Sequence, residues 1–497
     1  MRFEIKATLT RVFWAVFFIT TLLRLIYAVS LPLSGDEAYF WEWARHPALC
    51  YYDHPPVAGW ILWVTRHLFG DTVLAVRIVA VMTGSLVTAV VYRYTLDITG
   101  LARSAAWTGL LAMGIPVLAG LGVLYTTDTP VLAAGTLGGY LFHRAVNRGD
   151  RKSWPLAGLC FAVLYGSKFL GVPIIAASFL YLIARPDKRP LLKTPGPYTA
   201  WGLSLLGLIP VLIWNAQNGW ATFIFNFGSR HASSSLSPGN VFDYLVGQAA
   251  GLSPLLLVIG IPVLARAGFP WRERDGDRAT AGFLALVPLG GFLALSLATK
   301  VGIHWPAVGV PFLAVSVGAA LTADRKPGRW FFGTLALAWI MTALLFAVPL
   351  AAKLLPADWE YPRAERINTG QLRKMVDDPG QVGAQIDAEL AALKGEKDAF
   401  AFTRSYALSS LAAFYIPSHP QVTVLGEGSV HGRNHRYWFD PARHVGLNAL
   451  YVSYRPAEKE VPFVERFFER SEVVSDSAGS GEIPLTVIRG YGYNGTR

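Results

Sequence analysis

The residues best suited to chemistry stand in one stretch near the N-terminus of the 497-residue chain. Asp36 and Glu37 follow the first long apolar segment, and Asp53 and His54 come soon afterwards, just before two prolines. Ionisable groups beside hydrocarbon are costly and usually mark function. A carboxylate at such a boundary can act as a general base that deprotonates an attacking hydroxyl. We therefore predict that Asp36 and Glu37 are catalytic and that Asp53 and His54 bind substrate.

Structural roles compete with these functional ones. Ser34 and Glu37 have the spacing of a capping box, in which Glu37 bonds back to the Ser34 amide. Asp36 would be favoured near a helix N-terminus by the helix dipole. The two roles of Glu37 stay open, whereas function is favoured for Asp36. An Asp/Glu/His cluster can also hold a divalent cation, but the spacing matches no zinc signature.

The composition shows what must position these residues. Hydrophobic residues make up 53% of the chain, charged residues only 15%, and the mean hydropathy is +0.38. These values are typical of a polytopic membrane protein. The net charge of +11 lies in short basic clusters between apolar segments, which is the positive-inside pattern. Because no nucleic-acid-binding motif is visible, a nucleic-acid partner is excluded.

Eleven apolar segments are long enough, or nearly so, to be spans of about 20 residues. If the N-terminus lies inside, every basic cluster falls on the inner side and only isolated cations fall outside. An odd number of spans then places the C-terminus outside. The predicted spans lie at about 12–31, 72–96, 104–124, 129–146, 154–167, 169–184, 198–215, 242–265, 279–298, 303–322 and 330–352.

Two outer loops are long, at about 32–71 and 216–241, and the composition changes at about residue 354. We predict a mainly α membrane domain over 1–353 and a small α/β domain over 354–497. Within the latter, 399–402 and 422–425 read as strands, and 381–393 and 409–415 read as helices. The aromatic residues of the first outer loop predict a short helix in the headgroup region: Tyr39, Phe40, Trp41 and Trp43.

Three isolated cations, Lys168, Arg230 and Lys300, stand at outer ends of apolar segments beside aromatic residues. Together they suit the phosphate of a lipid-linked donor, with His231 and His304 assisting. The alternative is three unrelated side chains that snorkel to the interface.

Asp128 lies in the motif T-T-D-T-P at another outer turn. Either Asp128 or Thr127 caps the following span, with Pro130 in its first turn, or Asp128 contacts the substrate. The sequence leaves both open.

Several motifs occur in a recognisable order. These are D-E-A-Y-F-W-E-W and Y-Y-D-H-P-P, then T-D-T-P, S-K-F, W-N-x-x-N-G-W followed by an arginine, and K-x-x-x-H-W-P. The set resembles the bacterial polyprenyl-phosphate-sugar glycosyltransferases, which are GT-C enzymes related to protein O-mannosyltransferases and to the lipid A aminoarabinose transferase. The resemblance covers about residues 1–353. In the tail, S-Y-A-L-S-S-L-A-A-F-Y-I-P and R-N-H-R-Y-W-F-D are also similar to such proteins.

The resemblance implies an inverting glycosyltransferase of the bacterial inner membrane whose active site and C-terminal domain face the periplasm. The donor would be a sugar on a polyprenyl phosphate, and the acceptor would be lipid A, lipopolysaccharide core or another envelope glycan. Asp36 would activate the acceptor hydroxyl. His54 replaces the lysine of the aminoarabinose transferase, which argues against the same sugar. We predict no metal site and no required cofactor, with a divalent cation near Asp36 and Asp53 left open.

Two other functions are compatible with parts of this pattern. A protein O-mannosyltransferase-like enzyme would share the donor chemistry but use a protein acceptor. A transporter or flippase for lipid-linked sugars would place charges at the midplane, on broken helices in paired halves. The polar motifs instead gather at one face, which argues against transport.

Overall fold

The structure, a computed structural model, describes residues 2–228, 236–267, 275–323, 327–352, 380–394, 398–426, 432–476 and 485–496. The chain divides into two compact units. We call Met1–Ala28, His54–Ala58 and Arg77–Phe346 the helical unit. We call Val29–Asp53, Gly59–Val76 and Ala347–Arg497 the sheet unit. The first outer loop, predicted as part of the membrane domain, therefore belongs largely to the unit that contains the C-terminal segment.

Helices account for most of the chain before the C-terminal segment. They are α1 Arg2–Ser30, α2 Gly35–Arg45, α3 Val57–Phe69, α4 Val73–Thr99, α5 Ala102–Gly114, α6 Pro116–Leu121, α7 Asp128–Asn147, α8 Ser153–Ser167, α9 Val172–Ala184, α10 Pro195–Ser204, α11 Ile209–Gln217, α12 Ala221–Phe227, α13 Pro238–Leu252, α14 Pro254–Ala267, α15 Gly276–Ser296, α16 Val310–Thr322 and α17 Arg329–Ala352. Short 3₁₀ helices lie at Phe169–Gly171, Arg189–Lys193, Leu205–Leu208 and Trp305–Gly309.

Each of the eleven apolar segments predicted to span the membrane is helical over most of its length. Among the described residues, six helices are long and apolar enough to cross a membrane on their own, and a bent pair would make a seventh. The multi-pass α-helical prediction is confirmed, while the count of eleven stays a prediction. Large apolar side chains on these helices are exposed, such as Phe18 at 65% and Leu344 at 63%, as expected of surfaces that face lipid.

The segment predicted as one span at 242–265 is two helices. α13 and α14 meet at an angle of 106°. Ser253, between them, has φ 85° and ψ 142°, and Pro254 follows it. Because a proline disfavours helical backbone in the residue before it, α13 stops there. The segment at 242–265 is therefore bent, and its crossing of the membrane as one span stays a prediction.

Close helix contacts in the helical unit depend on small residues. α8 packs against α10, where a Cβ on Gly158 would lie 2.6 Å from the carbonyl oxygen of Ala200. Helices in a membrane pack through such small residues because lipid supplies no hydrophobic drive for their association. The buried core includes Phe142, Phe161 and Phe312.

The C-terminal segment forms a five-stranded mixed sheet in the order β2-β1-β3-β5-β4. β1 is parallel to both β2 and β3, and β5 is antiparallel to β3 and β4. The predicted α/β character, both predicted strands and both predicted helices are confirmed. The elements are α18 Gly380–Leu393, β1 Ala399–Thr403, α19 Tyr406–Tyr415, β2 Val422–Val424, α20 His435–Trp438, a 3₁₀ turn at Pro441–His444, β3 Asn448–Ser453, α21 Ala457–Val464, β4 Phe468–Asp476 and β5 Thr486–Tyr493.

The aromatic side chains of helix α2, predicted to suit a lipid headgroup region, are instead buried in the protein. Its four aromatic side chains are between 0% and 7% exposed inside the protein. Trp41 packs on Phe414 of α19, and Tyr39 lies near Trp438 of α20. The aromatic residues are a buried core of the sheet unit, and a membrane-interface pattern cannot be told from such a core by residue type alone.

Candidate active site

The N-terminus of α2 presents Asp36 beside a closed capping box. The Ser34 hydroxyl accepts from the Glu37 amide at 3.3 Å, and the Glu37 carboxylate accepts from the Ser34 amide at 2.9 Å. Glu37 is completely buried, whereas Asp36 is exposed. The structural alternative for Glu37 is therefore confirmed. Asp36 is left as the carboxylate that a substrate could reach.

A tyrosine from the C-terminal segment contacts Asp36. The Tyr406 hydroxyl donates to Asp36 Oδ1 at 2.7 Å. Among the described residues, no other group donates a hydrogen bond to the Asp36 carboxylate. Its Oδ2 is thus the atom available to an incoming hydroxyl.

Asp53 lies inside a buried hydrogen-bond network. It is 3% exposed, and its Oδ2 accepts from the Tyr39 hydroxyl at 2.5 Å and from the Gly432 amide at 3.3 Å. The Tyr39 oxygen accepts in turn from Asn434 Nδ2 at 2.6 Å. Burial, reinforced by Asp53, raises the pKa of Tyr39 well above its ordinary value, so Tyr39 stays a donor. This network fixes the first loop more directly than it offers a substrate contact.

A second carboxylate of α2 is buried against the same C-terminal helices. Glu42 is 2% exposed, accepts from the Ser410 hydroxyl, and has its Oε2 3.5 Å from Nε2 of His435. Burial raises the pKa of Glu42 to about 8, partly opposed by Ser410, and burial lowers the pKa of His435 to about 3. Both side chains are therefore neutral near pH 7.

Sequence reasoning missed Tyr406, Ser410, Asn434 and His435 as neighbours of the first loop. The available signal was the tail motifs, whose polar residues interrupt otherwise apolar stretches. Nothing in the sequence showed what those polar residues face.

The helical unit brings together three other predicted residues. Lys168 Nζ lies 2.7 Å from Asp128 Oδ2, with both side chains at most 7% exposed. Nε2 of His304 lies 3.5 Å from the same oxygen, and the His304 side chain is 46% exposed. Three residues that the sequence assigned to substrate or phosphate binding thus lie together, and their role in binding stays a prediction.

Neither Asp128 nor Thr127 caps α7, so the capping alternative is wrong. Thr127 makes no side-chain cap bond. The turn is instead closed by Thr126, whose hydroxyl accepts from the Asp128 amide at 3.1 Å, and by Thr129, whose hydroxyl accepts from the Thr126 amide at 3.0 Å. This leaves the Asp128 carboxylate for Lys168. Lys168 does not snorkel either, because its ammonium is held in the interior.

Of the remaining predicted residues, the structure describes Lys300 and His54. Lys300 is exposed, and within the described ranges it makes no hydrogen bond or ion pair. His54 is half-buried. Arg230 and His231 lie outside the described residues. In the part of the chain that the structure describes, no group of three or more His, Cys, Asp or Glu side chains is arranged to hold a metal ion.

The basic loops predicted to share the inner side also meet. Arg148 forms an ion pair with Asp277 at 2.7 Å, and Arg103 donates to the Ala323 carbonyl at 3.2 Å. The Arg148–Asp277 pair adjoins the end of α7 at Asn147, whereas Asp128 is the first residue of that helix. A helix of 20 residues is about 30 Å long. The two groups are thus separated by about the thickness of a membrane core.

Known proteins share parts of this sequence and its fold. Residues 53–214 match the model of the dolichyl-phosphate-mannose-protein mannosyltransferase family. No curated protein sequence matches the chain significantly. The crystal structure of ArnT from Cupriavidus metallidurans bound to undecaprenyl phosphate superposes with a TM-score of 0.70 at 17% identity, covering 96% of this chain and 98% of ArnT. The apo structure of the same protein gives 0.68 at 17% identity, with 96% and 97% covered. The resemblance predicted from the motifs is thereby confirmed, and the chain has the GT-C fold.

Proposed function

We propose that the protein is an inverting glycosyltransferase that moves a sugar from a polyprenyl-phosphate donor to an acceptor of the cell envelope. The GT-C fold, seen in ArnT with undecaprenyl phosphate bound, and the mannosyltransferase match support a lipid-linked donor. The observation that carries the proposal is Asp36. It is an exposed carboxylate with Oδ1 held by Tyr406 and Oδ2 available, as a general base requires.

The reaction needs one proton transfer and one displacement. Asp36 takes the proton of the acceptor hydroxyl as the acceptor oxygen attacks the anomeric carbon. The bond between that carbon and the phosphate oxygen breaks, and polyprenyl phosphate leaves with the bonding electrons. Attack from the side opposite the leaving group inverts the anomeric configuration.

Lys168 is the best-placed candidate for the donor phosphate. An ammonium has three N–H donors, and among the described residues only Asp128 accepts from that of Lys168. Two donors are therefore left for phosphate oxygens. They would gain strength as charge develops on the leaving phosphate. Lys300 and Arg230 complete the proposed set, and His304 and His231 assist.

The other predicted residues receive narrower roles in this scheme. Asp53 shapes the first loop through Tyr39 and Gly432. Glu37 caps α2, so we assign it no proton transfer. We place the protein in a bacterial inner membrane with the Asp36 loop and the C-terminal segment in the periplasm. No metal or cofactor is required in this scheme.

Two versions of the proposed function differ in the acceptor. The resemblance to lipid A-modifying enzymes favours lipid A, lipopolysaccharide core or another envelope glycan. The family match at residues 53–214 favours a protein acceptor. Mass spectrometry of lipid A, glycans and membrane proteins from a deletion strain should show which species loses a sugar.

Asp36→Asn tests the chemistry. Asn keeps the shape of Asp and can still favour a helix N-terminus, but it cannot take a proton. A membrane preparation of the deletion strain supplies both the unused donor and the unmodified acceptor, glycolipid or membrane protein. We expect purified Asp36→Asn to transfer sugar about 10²–10⁴ times more slowly than wild type. Near wild-type transfer by this variant would remove Asp36 as the base, and Glu37→Gln, which keeps the capping box, is the matched control.

A further inference from the structure

Helix α2 of the first loop and helix α19 of the C-terminal segment are packed closely at their N-terminal ends. A Cβ on Gly35 of α2 would lie only 2.4 Å from Cβ of Ala407 on α19. Farther along the pair, Ser410 donates to Glu42. The Tyr415 hydroxyl accepts from the amide of Leu33, just before α2, at 2.7 Å. These contacts hold α2 and α19 in one register within the sheet unit.

This packing places Tyr406, the first residue of α19, beside Asp36. The Tyr406 ring is held on two sides. Its centroid lies 5.1 Å from that of Tyr39 in an edge-on arrangement. On the other side is the backbone of Gly432, which has φ 76°, and a Cβ there would lie 2.1 Å from Cγ of Tyr406. The position of the Tyr406 hydroxyl is therefore set by packing before any substrate arrives.

We propose that Tyr406 is a positioning residue for the general base, so that the C-terminal segment completes the active site. The proposal rests on the function assigned to Asp36 above. By donating to Oδ1, Tyr406 fixes the rotamer of an otherwise exposed carboxylate and directs Oδ2 to the acceptor. Holding a reacting group in its productive orientation lowers the entropic part of the barrier.

A purely structural role would have different consequences. If the Tyr406 hydroxyl served only to hold α19 against α2, its loss would lower stability and leave turnover of the folded enzyme unchanged. The domain offers a matched control, because the Tyr491 hydroxyl donates to a Glu472 carboxylate oxygen at 2.7 Å, the same distance as between Tyr406 and Asp36. Tyr491 lies on β5, within the sheet.

The test compares Tyr406→Phe with Tyr491→Phe in the full-length enzyme, using a dilution series of the membrane preparation from the deletion strain. We expect Tyr406→Phe to lower the apparent kcat about tenfold while the apparent KM stays near that of wild type. Its thermal midpoint should fall no more than that of Tyr491→Phe, which should keep its kcat. Unchanged kcat in Tyr406→Phe, or a raised KM at unchanged kcat, would overturn the proposal.

A second variant separates the two residues without altering either. Gly35→Ala forces its new methyl group against Ala407 and should push α19 away, lowering kcat as Tyr406→Phe does. Adding Ala407→Gly returns the space and should restore part of the activity. If Gly35→Ala has full kcat at an unchanged thermal midpoint, the contact between Tyr406 and Asp36 is not used in turnover. Sugar transfer by Asp36→Asn at the wild-type rate would instead contradict the proposed function itself. Failure of the proposed function and failure of the Tyr406 proposal therefore give different results.

Discussion

The Asp128–Lys168 pair is a costly arrangement for two single residues. Both charges are withdrawn from solvent, and the desolvation of a buried pair often exceeds its Coulombic gain. Such a pair is poor evidence for stability. The pair lies at the first residue of α7 and directly after α8, and the role that we propose for it is substrate binding.

Breaking this pair should separate stability from activity. Lys168→Met removes the ammonium that pairs with the buried Asp128 carboxylate, and we expect it to lower the free energy of unfolding by about 3–5 kcal/mol. The double variant Lys168→Met/Asp128→Leu replaces the pair with apolar groups and should recover the thermal midpoint but not sugar transfer. If the double variant also transferred sugar at the wild-type rate, the pair would be structural only.

Glu42 predicts a pH dependence of stability. The pKa of Glu42 is raised by burial to about 8 from an ordinary value of 4.5, so the native protein holds a proton that the unfolded chain has released. Stability should therefore be full at low pH and fall as pH rises towards 8. His435 and His46, whose pKa values are lowered to about 3 and 4 from 6.5, have the opposite dependence, which ends near pH 6.5.

Of these three residues, only Glu42 should therefore change the stability between pH 6.5 and 8. Glu42→Gln cannot ionise, and its amide oxygen can still accept from Ser410. We expect the thermal midpoint of wild type to fall across this window and that of Glu42→Gln to fall less. Parallel curves for the two proteins would show that Glu42 does not hold its proton in the native state.

What the sequence reveals at this scale depends on how local the contact is. The capping box joins Ser34 and Glu37 within one helical turn, so it could be predicted. The Tyr406–Asp36 hydrogen bond joins residues 370 positions apart. The pairing of Lys168 with Asp128 was not predicted, because the type of an isolated polar residue does not show which residue it contacts.

At the scale of elements, the break between α13 and α14 shows that the length of an apolar segment does not predict where its helix bends. Ser237 and Ser253 each precede a proline and begin a helix, but only Ser253 has a strained backbone. Ser253 has φ 85° and accepts from the Leu256 amide at 3.3 Å, whereas Ser237 has φ −144° and makes no cap bond. A left-handed backbone is unfavourable for any side chain and worst for a β-branched one.

These two serines form a matched pair for substitution. Ser253→Val should lower stability by about 1–3 kcal/mol, because the branched side chain increases the strain and the cap is lost. Ser237→Val should have little effect, because extended backbone suits valine. Thermal midpoints of the two purified variants provide the comparison. Equal midpoints would show that Ser253 does not hold the left-handed backbone.

Helix α2 gives the complementary lesson for elements. Its existence and its N-terminus were predictable from the capping pattern, but its surroundings were not. Aromatic residues suit a headgroup region and a protein core equally well, since both surround the ring with apolar groups and offer partners for its polar atom. The small residues of α19, among them Ala407 and Ser410, let that helix approach α2 closely.

At the scale of the whole chain, charge alternation proved the most informative sequence feature. The loops predicted to share a side meet in the helical unit, at Arg148 and Asp277 near one end of α7 and at Asp128, Lys168 and His304 near the other. Apolar helices and basic loops are each defined by many residues, so their prediction does not depend on any single position. The grouping of the first loop with the C-terminal segment was not predictable, because it depends on packing between distant segments.

The compartment that each end faces can be tested with reporter fusions. Positively charged loops are retained on the cytoplasmic side, and Arg151 and Lys152 belong to such a loop. A phosphatase that is active only after export should therefore be inactive when fused after Lys152 and active when fused after Arg497. A reporter that folds only in the cytoplasm should give the reverse pattern.

Cytoplasmic activity of the fusion after Arg497 would place the C-terminal segment on the inner side. Because Asp36 and Tyr406 share the sheet unit, the proposed base would then face a compartment from which a donor in the outer leaflet is inaccessible.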